Sequence, residues 1–249
     1  MAGKFGSASA FLLVGGYNLI GTKVKGLSYK IAAEHEDTLG LGDSFKNSVP
    51  TGVSVLTIKQ DQGFFDTSAN GGHAALKDVA TSPQATQRII TFGYAGQTLG
   101  ESYVGAEGVY SQEYEVLSEG SKLTKANVAY AVSGRVDNGV LLHILEAETI
   151  DEDGASVDNA ASSANGGAGV LQVTAFSGLT SAVIKVQHST DNFSGSIVDL
   201  ITFATVTSAP TAERIAVAGT VNRYTRYTLD VTGTGSITFL VGFARNPAA

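Results

Sequence analysis

The chain contains no cysteine, no tryptophan, a single methionine and only four prolines among 249 residues. Without cysteine there is neither a disulfide framework nor a thiolate metal site. Scarce proline argues against an extended proline-rich linker. Charge is also sparse: 16% of residues are Asp, Glu, Lys or Arg, against a usual quarter or so. A surface with few charges is expected where neighbours cover much of it. The formal net charge is −7, and a nucleic-acid reader normally carries a basic face instead. Long apolar runs are missing too. Phe11-Leu12-Leu13-Val14 is broken by Gly15-Gly16, far short of the roughly 20 residues needed to span a bilayer. Lys4 followed by Ala8–Val14 has the outline of a signal peptide. Its apolar run is at the short limit and enters a strand pattern, so that reading is rejected. No partner membrane is expected.

Glycine is abundant at 30 residues, which suits many strands joined by turns. The chain divides by composition. Residues 1–148 hold 11 Lys/Arg and 15 Asp/Glu, a net of 11 − 15 = −4. Residues 149–168 hold Asp151, Glu152, Asp153 and Asp158 with no base, beside a run of Ala, Ser, Asn and Gly. Such a stretch buries little and reads as an acidic linker. Residues 169–249 hold five bases and four acids.

Period-2 alternation marks strands at Lys23–Ile31, Val53–Ile58, Gln87–Tyr94, Val109–Leu117 and Leu123–Val136. Asp137-Asn138-Gly139 offers a tight hairpin turn, with Val140–Leu145 as the return strand. One short helix is expected over His73–Ala80, with Pro83 just beyond it. The last region shows about six short strands: Leu171–Phe176, Ala182–His188, Val198–Phe203, Arg214–Val217, Tyr224–Val231 and Ser236–Ala244. That spacing indicates a β-sandwich. Ser68-Ala69-Asn70-Gly71-Gly72 recurs at Ser163–Gly167, but the flanking strands do not align, so the echo is loop chemistry and not duplication.

Catalytic signatures are missing: there is no G-x-S-x-G, Walker loop, G-x-G-x-x-G or H-E-x-x-H. The expectation is a non-enzyme with no cofactor and no metal. Glu34-His35-Glu36-Asp37 is read as a solvated charge run rather than a metal site or pH sensor. Asp151-Glu152-Asp153-Gly154 lacks the spacing of a calcium loop. Glu113 and Glu115 share one strand face, with Glu119 near, and do not flank a substrate as glycosidase acids do. Tyr224, Arg226 and Tyr227 are candidates for a surface sugar contact, with core packing as the plainer account. The 34–52 connection, with Leu39, Leu41, Phe45 and Val49, is long for a compact domain and apolar for a loop. Burial against a neighbouring subunit would remove that liability.

Several runs taken together resemble the opening of a phage major tail protein: Gly26-Leu27-Ser28-Tyr29, Asp37–Phe45, Pro50-Thr51-Gly52-Val53 and Gly63-Phe64-Phe65-Asp66. Residues 168–249 are similar to small β-sandwich modules at the C-termini of some phage structural proteins, through Val186–Ser189 and Val217–Tyr224. The resemblance implies a mostly β fold. A tail-tube-type β-sandwich (1–148) with one short helix and a long inter-ring loop is followed by the linker (149–168) and a decoration sandwich (169–249). It implies hexameric rings stacked into a DNA-conducting tube in the virion, assembled in the host cytoplasm. Expected partners are the chain itself, the tape measure, terminator and distal tail proteins, and DNA passing without specific binding. Asp37, Leu39, Leu41, Phe45 and Val49 would then bridge rings. Glu113, Glu115 and Asp137 would face the lumen, where a basic wall would grip phosphates. The alternatives are another virion or decoration protein, or an adhesin binding glycans through Tyr224 and Arg226.

Overall fold

The alternation read above puts most of the chain into extended backbone, and the computed structural model pairs those segments into antiparallel ladders. It describes residues 10–19, 25–38, 47–65, 67, 72–81, 87–132 and 134–247. In chain order the elements are β1 (Phe11–Val14), β2 (Tyr17–Asn18), β3 (Gly26–Thr38), β4 (Asn47–Phe64), α1 (Gly72–Thr81), β5 (Arg88–Gly93), β6 (Ser102–Leu117), β7 (Lys125–Val132) and β8 (Val136–Glu148). They continue with β9 (Glu152–Asp153), β10 (Val157–Asp158), β11 (Gly167–Ser189), β12 (Val198–Thr202), β13 (Thr211–Val217) and β14 (Tyr224–Arg245). The fold is mostly β with one short helix among the described residues, as expected from the sequence.

In the N-terminal half, β3, β4, β7 and β6 lie side by side. Leu56, Ile58, Val128 and Tyr130 point to one face, where they pack with Leu76 and Ala75 of α1. The helix forms because Ala74, Ala75 and Leu76 are good helix formers and their apolar side has a sheet to cover. His73 anchors its start: Nδ1 lies 2.7 Å from the Tyr114 hydroxyl, and the ring packs against Phe65 at 4.9 Å.

The expected turn at Asp137-Asn138-Gly139 does not occur. Those residues lie inside β8, paired with Gly105, Val104 and Tyr103 of β6. β7 and β8 run back along β6 as one strand interrupted between Val132 and Val136. Gly139 serves close approach instead of turning: a Cβ there would sit 2.7 Å from the Tyr103 ring.

The C-terminal half is a sandwich, yet its six expected strands are four. Leu171–Phe176 and Ala182–His188 are the two ends of β11, and Tyr224–Val231 and Ser236–Ala244 the two ends of β14. β11 and β14 pair from Gly167↔Arg245 to Ser189↔Tyr224, with register shifts at Val173/Ala175, Ser177/Leu179 and Leu179/Ser181. Bulges of this kind let a strand turn a corner and pass from one sheet to the other. Gly178 and Gly233, at φ of 75° and 102°, hold the left-handed backbone that the corner needs. Between the two layers lie Leu171, Val173, Ile184, Val186, Leu229, Phe239 and Val241.

The ladder crosses both expected domain boundaries. β14 pairs with β8, as in Val241↔His143 and Phe243↔Val140. A third apolar cluster joins Phe11, Leu13, Tyr103 and Leu141 to Val170 and Leu240. The 149–168 segment, expected as a free linker, is laid along β14 through β9 and β10. Its acids anchor it: the Val231 amide donates to Asp151 at 2.7 Å, and Asp158 takes two guanidinium hydrogen bonds from Arg223 at 2.7 and 2.6 Å. That contact holds the Asp158 carboxyl down to about 2.

Tyr103 is wholly buried against Gly105, Gly139 and Gly242, where an added Cβ would lie 2.9, 2.7 and 2.5 Å from its ring. Gly242→Ala must therefore displace the ring or β14. The expected cost is about 1–3 kcal/mol of overpacking, read as a Tm lower by roughly 3–10 °C in thermal unfolding.

Candidate assembly surface

β4 pairs with β7 only as far as Thr57↔Ala131. Beyond that point Ile31–Thr38 and Asn47–Leu56 pair with each other alone, from Ile31↔Leu56 to Thr38↔Asn47. At ~3.4 Å per residue this arm is about 25 Å long. Among the described residues β3 pairs only with β4, so its outer edge is an open row of amides and carbonyls. Apolar side chains are exposed on it: Ile31 at 44%, Tyr29 at 40% and Val49 at 53%. Tyr29 marks the root, stacked at 5.5 Å on Tyr94.

The long loop expected over 34–52 is corrected: β3 continues to Thr38 and β4 begins at Asn47, so residues 34–38 and 47–52 are paired strand, with Glu34, His35, Glu36, Asp37 and Val49 exposed. Leu39, Leu41 and Phe45 lie outside the described residues. The charge run Glu34–Asp37 belongs to the outer length of the arm.

The face of the β3-β4-β7-β6 sheet opposite α1 is polar. Glu113 and Lys59 flank Ala129 from the strands on its two sides, and Glu115 lies opposite Asn127. Asn127 donates to Glu115 at 2.9 Å. Lys30, Lys59 and Lys125 share this face with Asp61, Glu113 and Glu115. The face therefore carries matched signs and is less acidic than the sequence suggests.

Asp137 is not among them. It is 5% exposed and takes the Arg214 guanidinium on both oxygens, at 2.5 Å from Nε and 3.0 Å from Nη2. Arg214 also reaches Glu107 at 3.0 Å. Asp137, Glu107 and the carbonyl-lined ladder around them form a seam between the halves, and no lumen role remains for a carboxylate so enclosed. A second seam lies nearby. Gln172 of β11 accepts from the Gly16 amide at 2.7 Å and donates to the Ile89 carbonyl and Thr91 hydroxyl, both at 3.1 Å.

The Tyr224, Arg226 and Tyr227 platform does not form. Tyr227 is buried on the opposite strand face. Arg226 is engaged by Gln187 and by Asp153 at 3.0 Å, and lies 4.3 Å over the Phe193 ring. Its side chain, 13% exposed, is a packing cation and offers no free donor fork to a sugar.

No protein-family model and no curated protein matches the chain. Solved structures do. A chain from the virion of a native gene transfer agent particle overlays with a TM-score of 0.41 at 10% identity, covering 54% of this chain and 98% of that one. A chain of the sheath-tube complex of an extracellular contractile injection system in its extended state gives 0.39 at 13% identity, covering 56% and 94%. The SPP1 Dit protein, described as a hub adsorption apparatus of phages infecting Gram-positive bacteria, gives 0.31 at 12% identity, covering 94% and 98%. At such values the reading of function rests on this chain's own surfaces.

The Arg214 seam yields a direct test. Arg214→Met leaves buried Asp137 with only the half-exposed Arg135 guanidinium at 3.9 Å, at a cost of about 3–5 kcal/mol. Adding Asp137→Leu removes the stranded charge, and the double variant recovers most of the loss in denaturant titrations.

Proposed function

We propose that this chain is a structural, non-enzymatic subunit of a phage-type tail tube, built into the virion as stacked hexameric rings. The observation that carries the reading is the β3–β4 arm: a two-stranded projection about 25 Å long, with an open edge and exposed Tyr29, Ile31 and Val49. A two-stranded hairpin is marginal in water on its own. One that projects from a folded body with an open edge and exposed apolar side chains is stabilised by a neighbour. Identical subunits related head to tail stack without closing and give a filament, while lateral joining of sheets around a ring removes open edges.

In this reading the arm, with Asp37, Leu39, Leu41, Phe45 and Val49, reaches the adjacent ring. The polar face bearing Glu113 and Glu115 turns toward the lumen. The C-terminal sandwich lies outside, as decoration. The tape measure, terminator and distal tail proteins are its remaining partners, assembly takes place in the host cytoplasm, and DNA passes during ejection without being bound. The matched lysines and carboxylates on the polar face support passage: a face without net positive charge has no phosphate grip to release.

Negative-stain microscopy of the purified protein tests this. The full chain is expected to form six-fold rings or tubes. A variant with residues 34–51 replaced by Asn-Gly is expected to keep its Tm within about 3 °C, because the arm buries little in its own body, and to remain monomeric. A full chain that stays monomeric and is missing from virions overturns the proposal, as does an arm-shortened variant that assembles equally well.

A further inference from the structure

We propose that His143, Glu148 and Glu152 form a binding site for one divalent transition-metal ion of the zinc class, at the point where the 149–153 segment leaves β8 and docks on β14.

The site begins with an imidazole that cannot satisfy both its neighbours. His143 is 4% exposed. Its ring stacks on Phe239 at 4.1 Å, with planes 9° apart, and meets the edge of Tyr227 at 4.5 Å. Nδ1 lies 3.2 Å from the Phe239 carbonyl oxygen. Nε2 lies 3.4 Å from Glu148 Oε1 and 3.6 Å from Glu146 Oε1. A neutral imidazole has one N–H and one lone pair, and here both nitrogens face acceptors. With the proton on Nδ1, donated to the Phe239 carbonyl, the Nε2 lone pair points at carboxylate oxygens. A backbone carbonyl that holds Nδ1–H and aims Nε2 outward is the usual support of a metal-ligating histidine.

The carboxylates are placed to complete the set. One ligand atom each from His143, Glu148 and Glu152 lie within 4.8 Å of one another. Glu152 sits exposed on β9, with its carboxylate near the Tyr227 hydroxyl and Glu148. Lone pairs thus converge on one point and the component that reconciles them is a cation. One imidazole with two or three carboxylate oxygens suits zinc, and also manganese, better than the all-oxygen shells of calcium and magnesium. Ligand atoms around a tetrahedral zinc stand roughly 3.4 Å apart, so closure needs only a small swing of Glu152, which sits at the surface.

A bound ion would tie three pieces of chain together: β8 through His143 and Glu148, the connecting segment through Glu152, and β14 through the Phe239 carbonyl behind the ring. It would fasten the strap that joins the two halves.

The experiment uses the full chain, stripped with EDTA and titrated with zinc chloride by calorimetry, with magnesium chloride as control. About one equivalent of zinc is expected to bind, and a hundredfold excess over Kd is expected to raise Tm by about 5 °C or more; magnesium does neither. Because His143→Ala opens the core, Glu152→Gln is the decisive variant. It keeps an acceptor for Tyr227, leaves the metal-free Tm unchanged, and is expected to weaken zinc binding at least tenfold. No zinc uptake would mean that a shared proton alone reconciles the cluster, and would overturn the proposal. Undiminished uptake by Glu152→Gln would place the ion elsewhere and overturn it equally.

Discussion

Beside the apolar cluster and the β8–β14 ladder that join them, the two halves of the molecule are held by a polar seam. Arg214 comes from β13, Asp137 from β8 and Glu107 from β6. Gln172 of β11 answers the Gly16 amide and the Ile89 carbonyl on the other side. These contacts span 156 residues of sequence for Gly16 and Gln172. A hydrophobic interface tolerates sliding, because burial is not directional. A planar amide meeting three fixed partners, or a guanidinium forked onto a carboxylate, has one good geometry. The seam therefore sets the register at which β8 meets β14, and with it the continuity of the sheet. Its cost on removal of one partner is large because the remaining groups are already desolvated.

That rigidity bears on the arm. A projection can transmit load or fix the position of a neighbour only if its base does not yield. The base here is β4, paired with β7, which lies beside β6, which carries β5 and β8. From β8 the ladder continues into β14 and β11. The exposed hairpin is therefore an extension of strands whose inner ends are locked into the whole fold. Its own outer length has no such support, and a second copy of the chain is the simplest source of it.

Much of this was legible in the sequence, and the failures share one cause. The helix at Gly72–Thr81, the dominance of strands and the special character of the 34–52 region follow from local pattern. What local pattern could not supply was the register of distant pairs. Asp137-Asn138-Gly139 is a strong hairpin signal, yet its glycine was needed beside the Tyr103 ring and its aspartate beside Arg214. Gly178 and Gly233 looked like strand ends but are corners within continuous strands. The acids at 151–158 looked like a tether because their partners, the Val231 amide and Arg223, are some 65–80 residues away. His143, Glu146 and Glu148 would fall on different strand faces by strict alternation. A bulge, in which Phe239 and Val241 oppose Glu146 and His143, brings them to one side. No signal in the sequence announces that bulge.

The charge pattern of the polar face completes the physical picture. A wall rich in carboxylates alone would repel phosphate over a Debye length of ~10 Å and would also repel its own copies around a ring. A wall of lysines would hold DNA through counterion release. A face that carries Lys30, Lys59 and Lys125 together with Asp61, Glu113 and Glu115 avoids both. With three bases and three acids on one side, the face is hydrated and polar at contact range and nearly neutral at distance. In the proposed ring, identical faces would then approach one another without a large electrostatic cost, and a polyanion moving past would find water and mixed charge in place of a binding site. The net charge of the chain, −7, is thus a poor guide to this surface; what governs it is the strand alternation that brings lysines and carboxylates to the same face.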